Sequence, residues 1–218
     1  MWTELVLVCA GALQLGGSGQ THWTEAETRV GAPWTQTVTS REACWLLIEL
    51  EGLGRRADTD LVVHTQHWKS SSATHLSREV LLLPLLEGEQ LSVEVPTNAR
   101  CPFRLGLTPL RLDGWLKAGD TAKGLLNGVA RTRLFGVESA DSVPIVLKGS
   151  AELLVFNARG EQLSAGLGAD GVARLVNPTR GTSRCLALVR TPAEDKPRRF
   201  DVRVARAAAP PSALERFL

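Results

Sequence analysis

Three of the four histidines of this 218-residue chain crowd into one stretch, His64, His67 and His75. Three imidazoles suffice to hold Zn²⁺ while leaving a coordination position open for water, so a zinc-dependent hydrolase is the sharpest enzymatic expectation. No acidic residue lies between Asp60 and Glu79 to act as base or to orient an imidazole. That shortage favours three surface histidines over a metal centre, and no cofactor is expected. Other catalytic patterns fail on context. Gly16-Gly17-Ser18-Gly19 lacks the strand-to-helix setting of a nucleophile elbow. Gly166-Leu167-Gly168-Ala169-Asp170-Gly171 spells a dinucleotide fingerprint, but Val172-Ala173-Arg174-Leu175-Val176 follows as a strand where such a site needs a helix N-terminus. Glu138, Asp141 and Asp170 are too scattered for a calcium loop. No catalytic residue is expected.

The four cysteines lack the short paired spacings of a zinc framework. Cys44 and Cys101 fall on separate apolar stretches and could bridge in an oxidising compartment; the alternative, slightly favoured, is that they are small buried hydrophobes. Twenty-five basic and 23 acidic residues interleave to a net charge of +2, and nothing in the sequence resembles the clustered Lys and Arg of a nucleic-acid binder, so no nucleic-acid partner is expected. Lys196-Pro197-Arg198-Arg199, next to Glu194 and Asp195, fits a solvated turn. Of six tryptophans, five (Trp2, Trp23, Trp34, Trp45, Trp68) lie in the first 68 residues. Core volume is the default role for them, and a flat sugar-stacking platform is the functional one.

These residues must be positioned by short strands. Apolar segments with turn residues between them place strands near Thr35–Thr39, Cys44–Leu50, Asp60–His64, Glu79–Leu83, Gln90–Val95 and Cys101–Leu107 in the first half. The second half fits strands near Ala122–Leu126, Ala130–Val137, Val143–Leu147, Glu152–Phe156, Glu161–Ala165, Val172–Val176, Cys185–Arg190 and Phe200–Val204. Breaks such as Asn127-Gly128, Asn157-Ala158-Arg159-Gly160 and Asn177-Pro178 supply the backbone angles that turns need. The halves also echo each other at a spacing of roughly ninety residues. Asp60-Leu61-Val62-Val63-His64 resembles Glu152-Leu153-Leu154-Val155-Phe156, and Arg100-Cys101 to Thr108-Pro109 resembles Arg184-Cys185 to Thr191-Pro192. The expected fold is all-β: two tandem small antiparallel β-sandwich domains, jelly-roll-like, over 21–112 and 113–206. A tail over 207–218 carries a short helix capped by Ser212.

Leu5–Leu15 is an apolar run too short to span a membrane. Two readings of residues 1–20 stand side by side: a signal peptide cut after the small residues Gly16–Gly19, and a first β-strand.

Ala118-Gly119-Asp120-Thr121-Ala122-Lys123-Gly124-Leu125-Leu126 resembles the opening of bacterial pre-peptidase C-terminal domains. Glu152 to Leu163, an aliphatic strand ending in Asn157-Ala158-Arg159-Gly160, is similar to the middle of that family, and Gly181 to Val189 with Phe200 to Val204 to its close. The resemblance covers about residues 113 to 206, with the first half as a degenerate copy opening at Gly31-Ala32-Pro33-Trp34. It implies an exported, secreted or periplasmic, non-catalytic sandwich. The expected function is a binding or adaptor protein that engages a protein or surface polysaccharide through sandwich loops. Trp68, in the Gln66–Arg78 insertion, and the Arg55-Arg56 loop are the expected contact points. A structural subunit of an envelope or particle assembly is the alternative outside both classes.

Overall fold

The computed structural model describes residues 10–15, 19–30, 32–53, 59–66, 69–72, 78–96, 100–127, 131–139, 144–149, 151–166, 172–173, 183–191 and 197–205. Among them are eighteen strands and no helix. In particular, no described helix is long and apolar enough to cross a membrane. The chain separates into two compact units, the first made of Met1–Arg111 with Arg159–Glu161 and the second of Leu112–Ala158 with Gln162–Leu218.

The first unit comprises β1 (Ala10–Leu15), β2 (His22–Glu27), β3 (Trp34–Ser40), β4 (Cys44–Gly52), β5 (Leu61–His64), β6 (Lys69–Ser72), β7 (Arg78–Leu85), β8 (Gln90–Val95) and β9 (Pro102–Leu110). They form a five-stranded sheet in the order β1-β3-β8-β5-β6 and a four-stranded sheet in the order β2-β9-β4-β7. The second unit comprises β10 (Leu112–Lys117), β11 (Thr121–Leu126), β12 (Thr132–Ser139), β13 (Ile145–Gly149), β14 (Glu152–Asn157), β15 (Gln162–Gly166), β16 (Val172–Ala173), β17 (Ser183–Arg190) and β18 (Arg198–Val204). Its sheets run β10-β12-β17-β14-β15 and β11-β18-β13-β16. Adding nine to every strand number of the first unit gives the second. The two units share one topology.

Each unit is a sandwich because alternate residues of both its sheets meet in one core. In the first unit Trp34, Val38, Leu61, Val63, Leu91 and Val93 from one sheet face Leu46, Ile48, Leu81, Leu83, Phe103 and Leu105 from the other. Trp34 on β3 meets Phe103 on β9 edge-on, with centroids 5.2 Å apart. In the second unit Phe135 on β12 and Phe200 on β18 lie 6.2 Å apart, on the corresponding strands. Successive strands switch sheets, except in the hairpins β5–β6 and β14–β15. Turns take the residues they require: Gly88 after β7 and Gly160 after β14 have φ of 72° and 81°, angles that favour glycine.

Several expectations are corrected here. The sheets are not wholly antiparallel: β1 pairs with β3, and β10 with β12, in parallel. Ala10–Leu15 is a structural strand, and Leu15 is fully buried in the first core. Three further strands, β2, β6 and β10, occupy stretches that carried no expected strand. Arg198 and Arg199 open β18 instead of lying in a turn. The echo also divides. Asp60–His64 and Glu152–Phe156 do fall on corresponding strands, β5 and β14. The Arg-Cys segments do not: Cys101 leads into β9, whereas Cys185 lies on β17, the counterpart of β8. The second likeness is a coincidence of composition.

Candidate functional site

The residues singled out by type and spacing do not assemble into one site. His64 lies on β5, with its Nε2 3.4 Å from Glu94 on β8. His67, His75, Trp68, Arg55, Arg56 and the tail from 207 onward lie outside the described residues. Among the described residues no group of His, Cys, Asp or Glu is placed to hold a metal ion.

The Cys44–Cys101 bridge is excluded by register, and both are free thiols. β4 and β9 run antiparallel with Trp45 opposite Leu110 and Gly52 opposite Phe103. The two cysteines therefore sit at opposite ends of the strand pair, on the order of 30 Å apart at the rise of an extended chain. A disulfide needs Cα atoms within about 7 Å. Burial raises the thiol pKa at both positions, and pushes Cys185 up to about 11. A raised pKa leaves less of the thiolate, the reactive form, at neutral pH.

The core default for tryptophan holds at Trp34, which is 6% exposed, and fails at Trp23, which is 49% exposed. Trp23 stands on β2, an edge strand, directly opposite Gly106 on β9. A Cβ on Gly106 would come within 2.7 Å of the indole, so the ring lies against bare backbone. The Arg104 guanidinium sits 4.4 Å from the ring centroid and is held 2.5 Å from Glu51. Trp115 on edge strand β10 repeats the device over Gly136, with Arg184 at 5.4 Å. An indole seated on a glycine and engaged by a guanidinium covers an edge strand. It is a poor free platform for a sugar ring.

The outer faces of the two four-stranded sheets, which correspond in topology, differ in charge. On the first unit one cross-strand row reads Glu25, Arg104, Glu51, Arg78 over β2, β9, β4 and β7. Arg104 pairs with Glu51 and Arg78 with Glu49, each at 2.5 Å. This face neutralises itself. On the second unit the matching row reads Lys123, Asp201, Lys148 over β11, β18 and β13. Alternation along β18 turns Phe200, Val202 and Val204 into the core and Arg199, Asp201 and Arg203 outward. Four cations thus surround one carboxylate. Lys123 and Lys148 flank Asp201 across the strands, roughly 10 Å apart at ordinary strand spacing, and Arg199 and Arg203 flank it along β18, roughly 13 Å apart. Lys123 Nζ reaches Asp201 at 3.7 Å, a single weak surface pair. A shallow trough of about 590 Å³, of the order that holds a small ligand, runs over this face between Thr121, Lys123, Val146, Lys148, Asp201 and Arg203. A smaller cleft on the first unit lies beside Glu27, Arg29, Val30 and Arg100. There the Arg100 guanidinium, 2.7 Å away, holds the Glu27 carboxyl below its usual range. That pair satisfies itself, whereas the second unit's face keeps excess positive charge.

The residues of this face carried only one signal in the sequence, the alternation of Phe200, Val202 and Val204 with Asp201 and Arg203. Lys123 and Lys148 join them through register, which no local pattern displays.

No family model and no curated protein matches the chain. Among solved structures, it is similar to the crystal structure of tripeptidyl peptidase 2, with 10% identity and a TM-score of 0.36. The match covers 88% of this chain and 24% of that one. Likeness at that level carries no argument about activity.

Proposed function

We propose that this chain is a non-catalytic binding or adaptor protein, a tandem repeat of two sandwiches of the pre-peptidase C-terminal type, acting outside the cytoplasm. Its ligand is a protein or a surface polysaccharide. The reading rests on one observation: of two corresponding sheet faces, one cancels its charges and the other surrounds a lone carboxylate with Lys123, Lys148, Arg199 and Arg203. Excess like charge on one small face costs self-repulsion, and a complementary ligand relieves it. The contact surface is then the outer face of β11, β18 and β13, in place of the loops expected from sequence. Export with β1 retained fits this reading, because a cut after Gly19 removes the strand that supplies Leu15 to the core.

The test is retention from envelope fractions of the native host on immobilised chain. A protein or polysaccharide retained by the wild type, and lost with Lys148→Glu/Arg203→Glu at unchanged melting temperature, is the expected outcome. Equal retention by the reversed-charge variant contradicts it.

A further inference from the structure

Resting on that reading, we infer that the β11–β18–β13 face of the second unit takes an acidic polysaccharide whose sugars carry carboxylates. The composition of the face selects this chemistry. Lys123, Lys148, Arg199 and Arg203 offer only donors and positive charge. The Asp201 carboxylate, at the centre of the four, offers acceptors, and Thr121 adds a hydroxyl to the lining of the trough.

A ligand that is anionic throughout, such as a nucleic-acid backbone, meets repulsion at Asp201. A neutral glycan satisfies Asp201 through its hydroxyls but leaves the excess positive charge of the face, four cations against the one carboxylate, unanswered. A polyuronate presents carboxylates at intervals with hydroxyl donors between them, and answers both requirements at once. The carboxylates dock on the lysines and arginines as charge-assisted hydrogen bonds, and a sugar hydroxyl donates to Asp201. The setting is apt as well. Val146 lines the trough, and half-exposed Leu125 stands opposite Arg199, giving apolar surface for the CH faces of a sugar. An acidic peptide is the competing occupant; its side chains supply carboxylates but no hydroxyl between them.

The experiment compares the wild-type chain with two variants against immobilised oligogalacturonate, dextran and poly-glutamate at one fixed ionic strength. Oligogalacturonate is expected to bind the wild type, and Lys123→Gln/Lys148→Gln to weaken it by about tenfold or more, the scale of one charge-assisted hydrogen bond. Asp201→Asn decides between recognition and bulk attraction. It makes the face more positive, yet a hydroxyl-accepting Asp201 predicts weaker binding of oligogalacturonate by about threefold or more, less than one full hydrogen bond. Tighter binding by Asp201→Asn overturns the inference, because then charge alone draws the polymer. Binding of dextran or poly-glutamate in preference to oligogalacturonate overturns the ligand class while leaving a binding module. Absence of oligogalacturonate binding also overturns the inference, and retention of a host ligand in the envelope experiment separates that outcome from failure of the broader reading.

Discussion

Cys185 lies in the second sandwich's core, and burial lifts its thiol from the ordinary 9.0 to about 11. Between those values the unfolded chain sheds a proton that the folded chain keeps. The folded pKa is the higher one, so this contribution is complete below pH 9 and is lost as pH rises toward 11, by about 1.4 kcal/mol per pH unit. Cys185→Ala is expected to lower stability at pH 8 but to flatten its decline between pH 9 and 11, as urea unfolding at several pH values will show. An unchanged slope would mean that the thiol is not shielded. The Arg190–Glu152 pair is a second residue-scale case. Its side chains are 7% and 17% exposed and 2.5 Å apart, joining β17 to β14. Glu152→Gln takes a charged acceptor away from a buried guanidinium and is expected to cost about 1–3 kcal/mol in equilibrium unfolding. Residue type was plain in the sequence for all of these groups. Pairing was not: Cys44 and Cys101 each sit at the edge of an apolar strand, and only the β4–β9 register shows that the strand pair keeps them apart.

Strands were legible where aliphatic residues alternate or run together, as in Gln90–Val95 and Cys44–Gly52, because burial of one face leaves that pattern. They were illegible where the strand contributes little to a core. His22–Glu27 turns His22, Thr24 and Ala26 inward, Lys69–Ser72 contains no apolar residue, and Leu112–Lys117 holds a glycine at φ 156° and follows β9 after a single residue. These edge or near-edge strands are recruited by the ladder of a neighbour, not by their own composition. β1 is the element with two sequence readings, a cleaved leader and a retained strand, and Leu15 is its contact with the core. Leu15→Ala is expected to destabilise the first unit by about 2–5 kcal/mol, the cost of a cavity in a closed core. Mass analysis of the chain from its native host is expected to find Ala10–Leu15 retained; a mature N-terminus beyond Leu15 would contradict the strand's role. The aromatic pairs between sheets are equivalent elements too. Phe103→Ala and Phe200→Ala should each cost about 3–5 kcal/mol, measured by calorimetry, since each truncates the partner of a buried ring.

At the scale of the whole molecule, the two units have one strand order and hold aromatic pairs on corresponding strands, yet their sequences show this poorly. A sandwich constrains its chain mainly through alternation and turns, so many sequences satisfy it and similarity fades while topology persists. The β5–β14 likeness survives because both strands supply buried aliphatics to the same place in the core. The divergence lies on the faces turned away from the cores, and there the second unit concentrates positive charge. The direct measurement is amide hydrogen exchange of the full chain with and without oligogalacturonate. Added protection confined to β11, β18 and β13, and absent in Lys123→Gln/Lys148→Gln, is the predicted result. Protection confined to the first unit, or to loops outside that face, would contradict the account.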